Sequence, residues 1–147
     1  MYIAFIIIIV GLFIDQFTKF LAKKFLKPKK SIKMTKNFTF YYLENSGAAN
    51  GTYSGNYFIL LFATFFTLGI CTYLFKYYDL NNNFLFSISL CIFIAGVLGN
   101  FLDRVIFSYV TDFISIRIFK KDLPVLNIAD IYIFVGILLL LIAYFCF

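Results

Sequence analysis

The sequence predicts an all-α membrane protein: four transmembrane helices, with a small β-like cradle formed by the first and third connections. Three observations carry that expectation. Hydrophobic residues fill 63% of the 147 positions and charged ones 14%, whereas soluble domains average about 45–50% and about 25%. The apolar residues gather in four runs of 19–20 positions, roughly 30 Å of helix and so the thickness of the hydrocarbon core. Lipid offers no partner to a free backbone group, and runs this long are helices, not barrel strands.

The first span is expected over about 2–21. Its first thirteen residues, from Tyr2 to Ile14, carry no charge. A cleavable signal peptide is the competing reading, but no Lys or Arg precedes the run and no small-x-small site follows it. The span is therefore expected to be retained. The second span is placed at 57–75, the third at 84–102 and the fourth at 128–147, all within one four-span domain covering 1–147.

The connections are unequal. Eight residues, Lys76–Asn83, join spans two and three, and Asn81-Asn82-Asn83 is a turn signal that makes the pair antiparallel. The first and third connections, Ala22–Asn56 and Asp103–Asn127, are long and fall on one side. In the first, Asn37–Leu43 is aromatic and β-prone, with Asn45-Ser46-Gly47 as a turn. In the third, Phe113–Phe119 alternates loosely and reads as a short strand.

Charge adds a second layer. The net charge is +6, and eight of thirteen basic residues are lysines between Lys19 and Lys36, beside a membrane span. Anionic lipid headgroups, and not nucleic acid, are the expected partner. Twelve of the thirteen lie with the long connections, so charge counting alone puts those connections in the cytoplasm. There is no histidine, which removes Ser-His and Cys-His catalytic pairs and His-ligated metals. Cys71, Cys91 and Cys146 stand singly in apolar runs, so no disulfide framework, metal or cofactor is expected.

Chemistry is sought in the carboxylates at membrane depth, which are costly there. Asp15 shares a helix face with Thr18 and Lys19; the spacing serves equally an i,i+4 ion pair or the orientation of a substrate or neighbouring helix. Asp103 closes Gly99-Asn100-Phe101-Leu102-Asp103-Arg104, behind small residues at 95, 96 and 99 that favour close helix packing. Arg104 either neutralises Asp103 or faces a substrate. Asp112, in Val110-Thr111-Asp112-Phe113, has apolar neighbours that would desolvate it, though alone it reads as a loop residue. Asp130, in Asn127-Ile128-Ala129-Asp130, resembles the second half of a capping pair with Asn127. Together, Asp112 and Asp130 bracket the third connection at one membrane face. If spans three and four pack side by side, the two carboxylates meet, share a proton and split into an acid and a base. That arrangement activates water for peptide hydrolysis.

These motifs resemble those of the lipoprotein signal peptidase (signal peptidase II) family, bacterial aspartic peptidases of the inner membrane. Five blocks agree in order: Asp15-Gln16-Phe17-Thr18-Lys19, Asn45-Ser46-Gly47-Ala48-Ala49, Gly99–Arg104, Val110–Phe113 and Asn127–Asp130. The resemblance implies removal of signal peptides from prolipoproteins, on the N-terminal side of a diacylglyceryl-modified cysteine, by a monomeric enzyme. It implies a catalytic pair at Asp112 and Asp130. It also implies substrate-binding or supporting roles for Asp15, Lys19, Asn45, Gly47, Asn100, Asp103, Arg104, Asn127 and Ala129. It places the cradle and site on the extracytoplasmic face with both termini in the cytoplasm, against the charge count. One departure is Asn50, where the family often has an aromatic residue. A proton-coupled transporter or channel subunit, with Asp15, Asp103 and Asp130 as a relay, is the alternative from another class. A Ser-Lys peptidase using Lys19 would need Ser46, Ser54, Ser108 or Ser115, none of which sits in a supporting motif.

Overall fold

The computed structural model describes residues 1–29, 31–47, 57–119 and 121–146. Ala48, Ala49, Asn50 and Ser54, and the expected last residue of span four, Phe147, lie outside the described residues. Among the described residues four apolar helices are long enough to cross a bilayer: α1 (Tyr2–Phe25), α2 (Tyr57–Leu74), α3 (Phe84–Phe107) and α4 (Ile128–Cys146). Between them run β1 (Ser31–Lys33) and β2 (Phe38–Asn45) after α1, and β3 (Val110–Ile118) and β4 (Lys121–Asp122) after α3.

Two helices run past their expected ends. The prediction stops α1 at 21 and α3 at 102, where charges begin; the helices continue to Phe25 and Phe107. Charge ends the apolar run without ending the helix. Lys23 and Lys24 lie over the rings of Phe107 and Phe25, so their stems cover apolar surface while their ammonium groups stay in the interface. Ser108, at a left-handed φ of 64°, stops α3 and turns the chain into β3. The α2–α3 turn forms as the asparagines predict, with Asn81 and Asn82 both bonded to the Asp79 carboxylate.

α3 is the central helix. It packs along α4 and α1 because glycines remove the side chains that would hold the backbones apart. A Cβ at Gly96 would strike the carbonyl oxygen of Ala129, one at Gly99 the Asp15 carboxylate, and one at Gly136 the backbone of Phe93.

The strands form one antiparallel sheet in the order β1-β2-β3-β4. Phe113 and Ile114 of β3 share one buried apolar cluster with Ala22 and Leu26 at the end of α1. The register is Phe38↔Ile116 and Phe40↔Ile114, then slips by one residue to Leu43↔Asp112 and Asn45↔Val110. The slip matters for the site. Unbroken alternation would put Asn45 on the outer face with Thr39 and Tyr41; the bulge moves it to the other face, where its side chain meets Asp112. β3 also begins three residues before the predicted strand, so Asp112 lies in the sheet and not in a loop.

Candidate active site

Each polar residue is brought in by a different element. α1 contributes Asp15 and Lys19 one turn apart, and α3 contributes Asn100, Asp103 and Arg104 from its last turns. Asp112 enters from β3, Asn45 from the end of β2, and Asn127 and Asp130 from the start of α4. Asp15, Lys19, Asn100, Asp103, Asp112 and Asn127 are all buried.

One layer of this cluster surrounds Lys19. Its ammonium pairs with Asp15 at 2.9 Å and Asp103 at 3.3 Å and donates to Asn100 Oδ1 at 3.0 Å. The i,i+4 pair read from the sequence is therefore present, but it has a third member from α3. Asp103 has Lys19 as its ion-pair partner, and Arg104 lines the neighbouring cavity. Both carboxylates also hold backbone: Asp15 accepts from the Ala129 N–H at 2.8 Å and Asp103 from the Thr111 N–H at 2.9 Å. The layer thus fixes the residue before Asp130 and the residue before Asp112. Gln16 completes it, donating to Asp15, Asp103 and the Gly99 carbonyl. Sequence reasoning gave Gln16 no role; its signal was an amide at membrane depth beside Asp15.

The second layer holds the two remaining carboxylates. Asn127 Nδ2 donates to Asp112 Oδ1 at 2.6 Å and to Asn100 Oδ1 at 3.1 Å. The backbone N–H of Asn127 donates to Asp130 Oδ2 at 3.1 Å, while the Asp130 N–H returns a bond to Asn127 Oδ1 at 2.9 Å. That is the expected capping pair. Capping leaves Asp130 Oδ1 available, and Asn100 Nδ2 occupies it at 2.8 Å. Asn45 Nδ2 reaches Asp112 Oδ2 at 2.9 Å, and Asn45 Oδ1 accepts from the Gly47 N–H at 3.0 Å. Asn127 is thus common to both carboxylates, and neutral amides bind all four of their oxygens.

The two carboxylates sit in different surroundings. Burial pushes the Asp112 carboxyl up to about 6. The Asn45 hydrogen bond opposes that rise and the nearby Asp130 charge reinforces it. Asp130 stands at the N-terminus of α4, where the helix dipole favours negative charge. Four carboxylates (Asp15, Asp103, Asp112, Asp130) gather around two cations, Lys19 and Arg104.

Both aspartates open onto one cavity of about 690 Å³. Asn45, Gly47, Asn100 and Arg104 form its polar border, and Val125, Leu126, Ile133, Phe134 and Ile137 its apolar wall. A groove of about 430 Å³ lined by Leu60, Ala63, Thr64 and Thr67 of α2 shares Asn100, Arg104 and Asp130 with it. Every predicted site residue is in this assembly: Ala129 is buried against Gly99, and Gly47 holds the Asn45 amide.

The sequence model of the family described as Signal peptidase (SPase) II matches residues 7–146. The chain belongs to the signal peptidase II family. A lipoprotein signal peptidase of Thermodesulfovibrio yellowstonii is 39% identical over 130 residues, covering 87% of this chain and 84% of the relative. Another, from Clostridium novyi, is 38% identical over 139 residues, covering 92% of both chains. A bacterial membrane enzyme solved by the in meso method at 1.9 Å superposes with a TM-score of 0.85 at 31% identity, covering 98% of this chain and 93% of that one. As a signal peptidase II family member, the protein is an aspartic peptidase and spans the membrane several times.

Proposed function

We propose that this protein is an endopeptidase that removes signal peptides from prolipoproteins, cutting on the N-terminal side of the diacylglyceryl-modified cysteine at an Asp112–Asp130 dyad. The observation that carries the reading is that Asp112 and Asp130 face one cavity and are tied together through Asn127.

The environments suggest the division of labour. Asp112, whose carboxyl burial raises to about 6, is the acid; Asp130, at the helix N-terminus, is the base. Water gives a proton to Asp130 as its oxygen attacks the scissile carbonyl carbon, while Asp112 protonates the carbonyl oxygen. The tetrahedral diol then collapses: one of its hydroxyls returns a proton to Asp112 as the C–N bond breaks and the proton on Asp130 passes to the leaving amine. Asn45 and Arg104, at the cavity border, are suited to holding the peptide. The apolar wall of Ile133, Phe134 and Ile137 suits the lipid-modified end of the substrate. Lys19, Asp15, Asp103, Asn100, Gly47 and Ala129 support the pair in place. A proton relay would need carboxylates distributed along the span, whereas these four gather at one end of the bundle.

We further propose one monomeric domain in the bacterial inner membrane, with the site outward, the termini cytoplasmic and the basic first connection on anionic lipid. Single cysteines at Lys29 and Asn82, in a background lacking the native three, should label from outside only at position 29. The reverse pattern would make the positive-inside count right. The peptidase reading is tested by cleavage of a diacylglyceryl-modified prolipoprotein by wild type, Asp112→Asn and Asp130→Asn in detergent. Loss in both folded variants supports the dyad; turnover by either one rejects it.

A further inference from the structure

From Ile114 on, the inner face of β3 is apolar at every second residue, and its cover runs out. Ile114 is 8% exposed and packs on α1; Ile118, on the same face four residues on, is 47% exposed. The sheet therefore extends past the helix it rests on. Its far end is a hairpin whose tip, Phe119, has a left-handed φ of 47° and is 97% exposed. Arg117 and Asp122 brace the hairpin with two bonds, 2.6 and 2.9 Å, so the tip is held out and not folded back. The β1–β2 turn lies beside it, joined by the Arg117 N–H to Asn37 carbonyl bond at 2.8 Å, and presents Met34, also largely exposed.

The free charge on the sheet side of the helices has one sign. The exposed carboxylates on the sheet side, Glu44 and Asp122, are each ion-paired, with Lys27 and Arg117. Lys23, Lys24, Lys29 and Lys121 are exposed and form no ion pair among the described residues. A protruding aromatic and aliphatic tip with Lys121 next to it, on the side of the helices that carries the lysines at the end of α1, fits the boundary between anionic headgroups and acyl chains.

We infer that the β3–β4 hairpin is a membrane anchor: Phe119 and Ile118, with Met34 alongside, insert into an anionic leaflet next to α1 and hold the sheet over the site. This rests on the four-span reading and not on the assignment of the dyad. The anchor contributes reach as well as affinity. Asn45 and Asp112 lie at the other end of the same two strands, so pinning the tip limits the rocking of the sheet above the cavity.

The sequence contains no tryptophan, which gives a direct test. Phe119→Trp and, on the outer sheet face, Ser115→Trp are reconstituted separately into phosphatidylcholine–phosphatidylglycerol vesicles carrying shallow spin-labelled acyl chains. Trp fluorescence at position 119 should be quenched several-fold more than at 115 and be blue-shifted. Because the Trp itself inserts well, Phe119→Cys labelled with a polarity-sensitive dye provides a second reading, expected to report an apolar environment in vesicles and water in detergent. Equal quenching at 119 and 115 would overturn the anchor. So would shielding of position 119 that appears only when a prolipoprotein is added, which would make the tip a substrate contact. Neither outcome depends on cleavage activity.

Discussion

α2 and α3 are almost equally apolar, with mean hydropathies of 2.1 and 2.2, yet 6% of one and 56% of the other is buried within the protein. Hydropathy selects the membrane for both and cannot rank them, because acyl chains and leucine side chains are equally apolar. What separates the two is small and polar side chains. α3 carries Gly96 and Gly99 where α4 and α1 approach, and Ser87, Ser89, Asn100 and Asp103 facing inward. α2 turns Phe58, Phe62, Phe65 and Phe66 to lipid, and a Cβ at its Gly69 would meet nothing within 4 Å. In this bundle position follows backbone approach and polar contacts.

The contrast can be broken most severely at the two carboxylates that β3, leaving the end of α3, and α4 bring to one cavity. Asp112→Asn or Asp130→Asn should lower cleavage by at least about 10²–10⁴-fold, the usual worth of positioned acid–base groups, with helicity and solubility in detergent unchanged. Lys19→Met comes next. It leaves Asp15 and Asp103 buried without their cation, so a loss of about 3–5 kcal/mol is expected, read as a lower unfolding midpoint by circular dichroism. A wild-type midpoint would show that the ion triad does not hold α1 to α3.

Glycine tests the packing argument itself. Gly99→Ala must displace the Asp15 carboxylate or part α3 from α4, at about 1–3 kcal/mol. Gly69→Ala should be neutral or stabilising by up to about 1 kcal/mol, since it gains helix propensity in open space. Equal effects at the two sites would remove the distinction between the helices.

The smallest effect expected is a shift in pH dependence. Burial raises the Asp112 carboxyl to about 6, so the protonated form required of an acid is lost as pH rises through that value, and kcat/KM should fall on the alkaline side. The same raised value means that Asp112 contributes stability fully below its unfolded value of 3.8 and loses it as pH passes about 6. Asn45→Ala removes a hydrogen bond that favours the ionised form, so the alkaline limb should move upward. A downward move would assign Asn45 a different part.

Much of this architecture is legible without coordinates. Continuous apolar runs of bilayer length are helices wherever the solvent is lipid, and the eight-residue second connection leaves α2 and α3 no arrangement but antiparallel. Two of the strands were visible as aromatic and alternating segments, though not β1 or β4, whose three and two residues are too few to show a period. The candidate site was legible as costly carboxylates, and the Asn127–Asp130 cap followed from local spacing alone.

What required tertiary structure is how those groups divide. Asp15, Lys19 and Asp103 form one unit because Gly99 lets α1 come close to α3, a fact about two backbones that one helix's periodicity cannot contain. Asn45 reaches Asp112 because β2 slips by one residue against β3, and register belongs to the pair of strands. Asp112 is raised while Asp130 sits at a helix start because burial and dipoles depend on what surrounds a residue in space. Local order along the chain determined which elements form and which residues are costly; their chemistry was decided by the neighbours that folding brings to them.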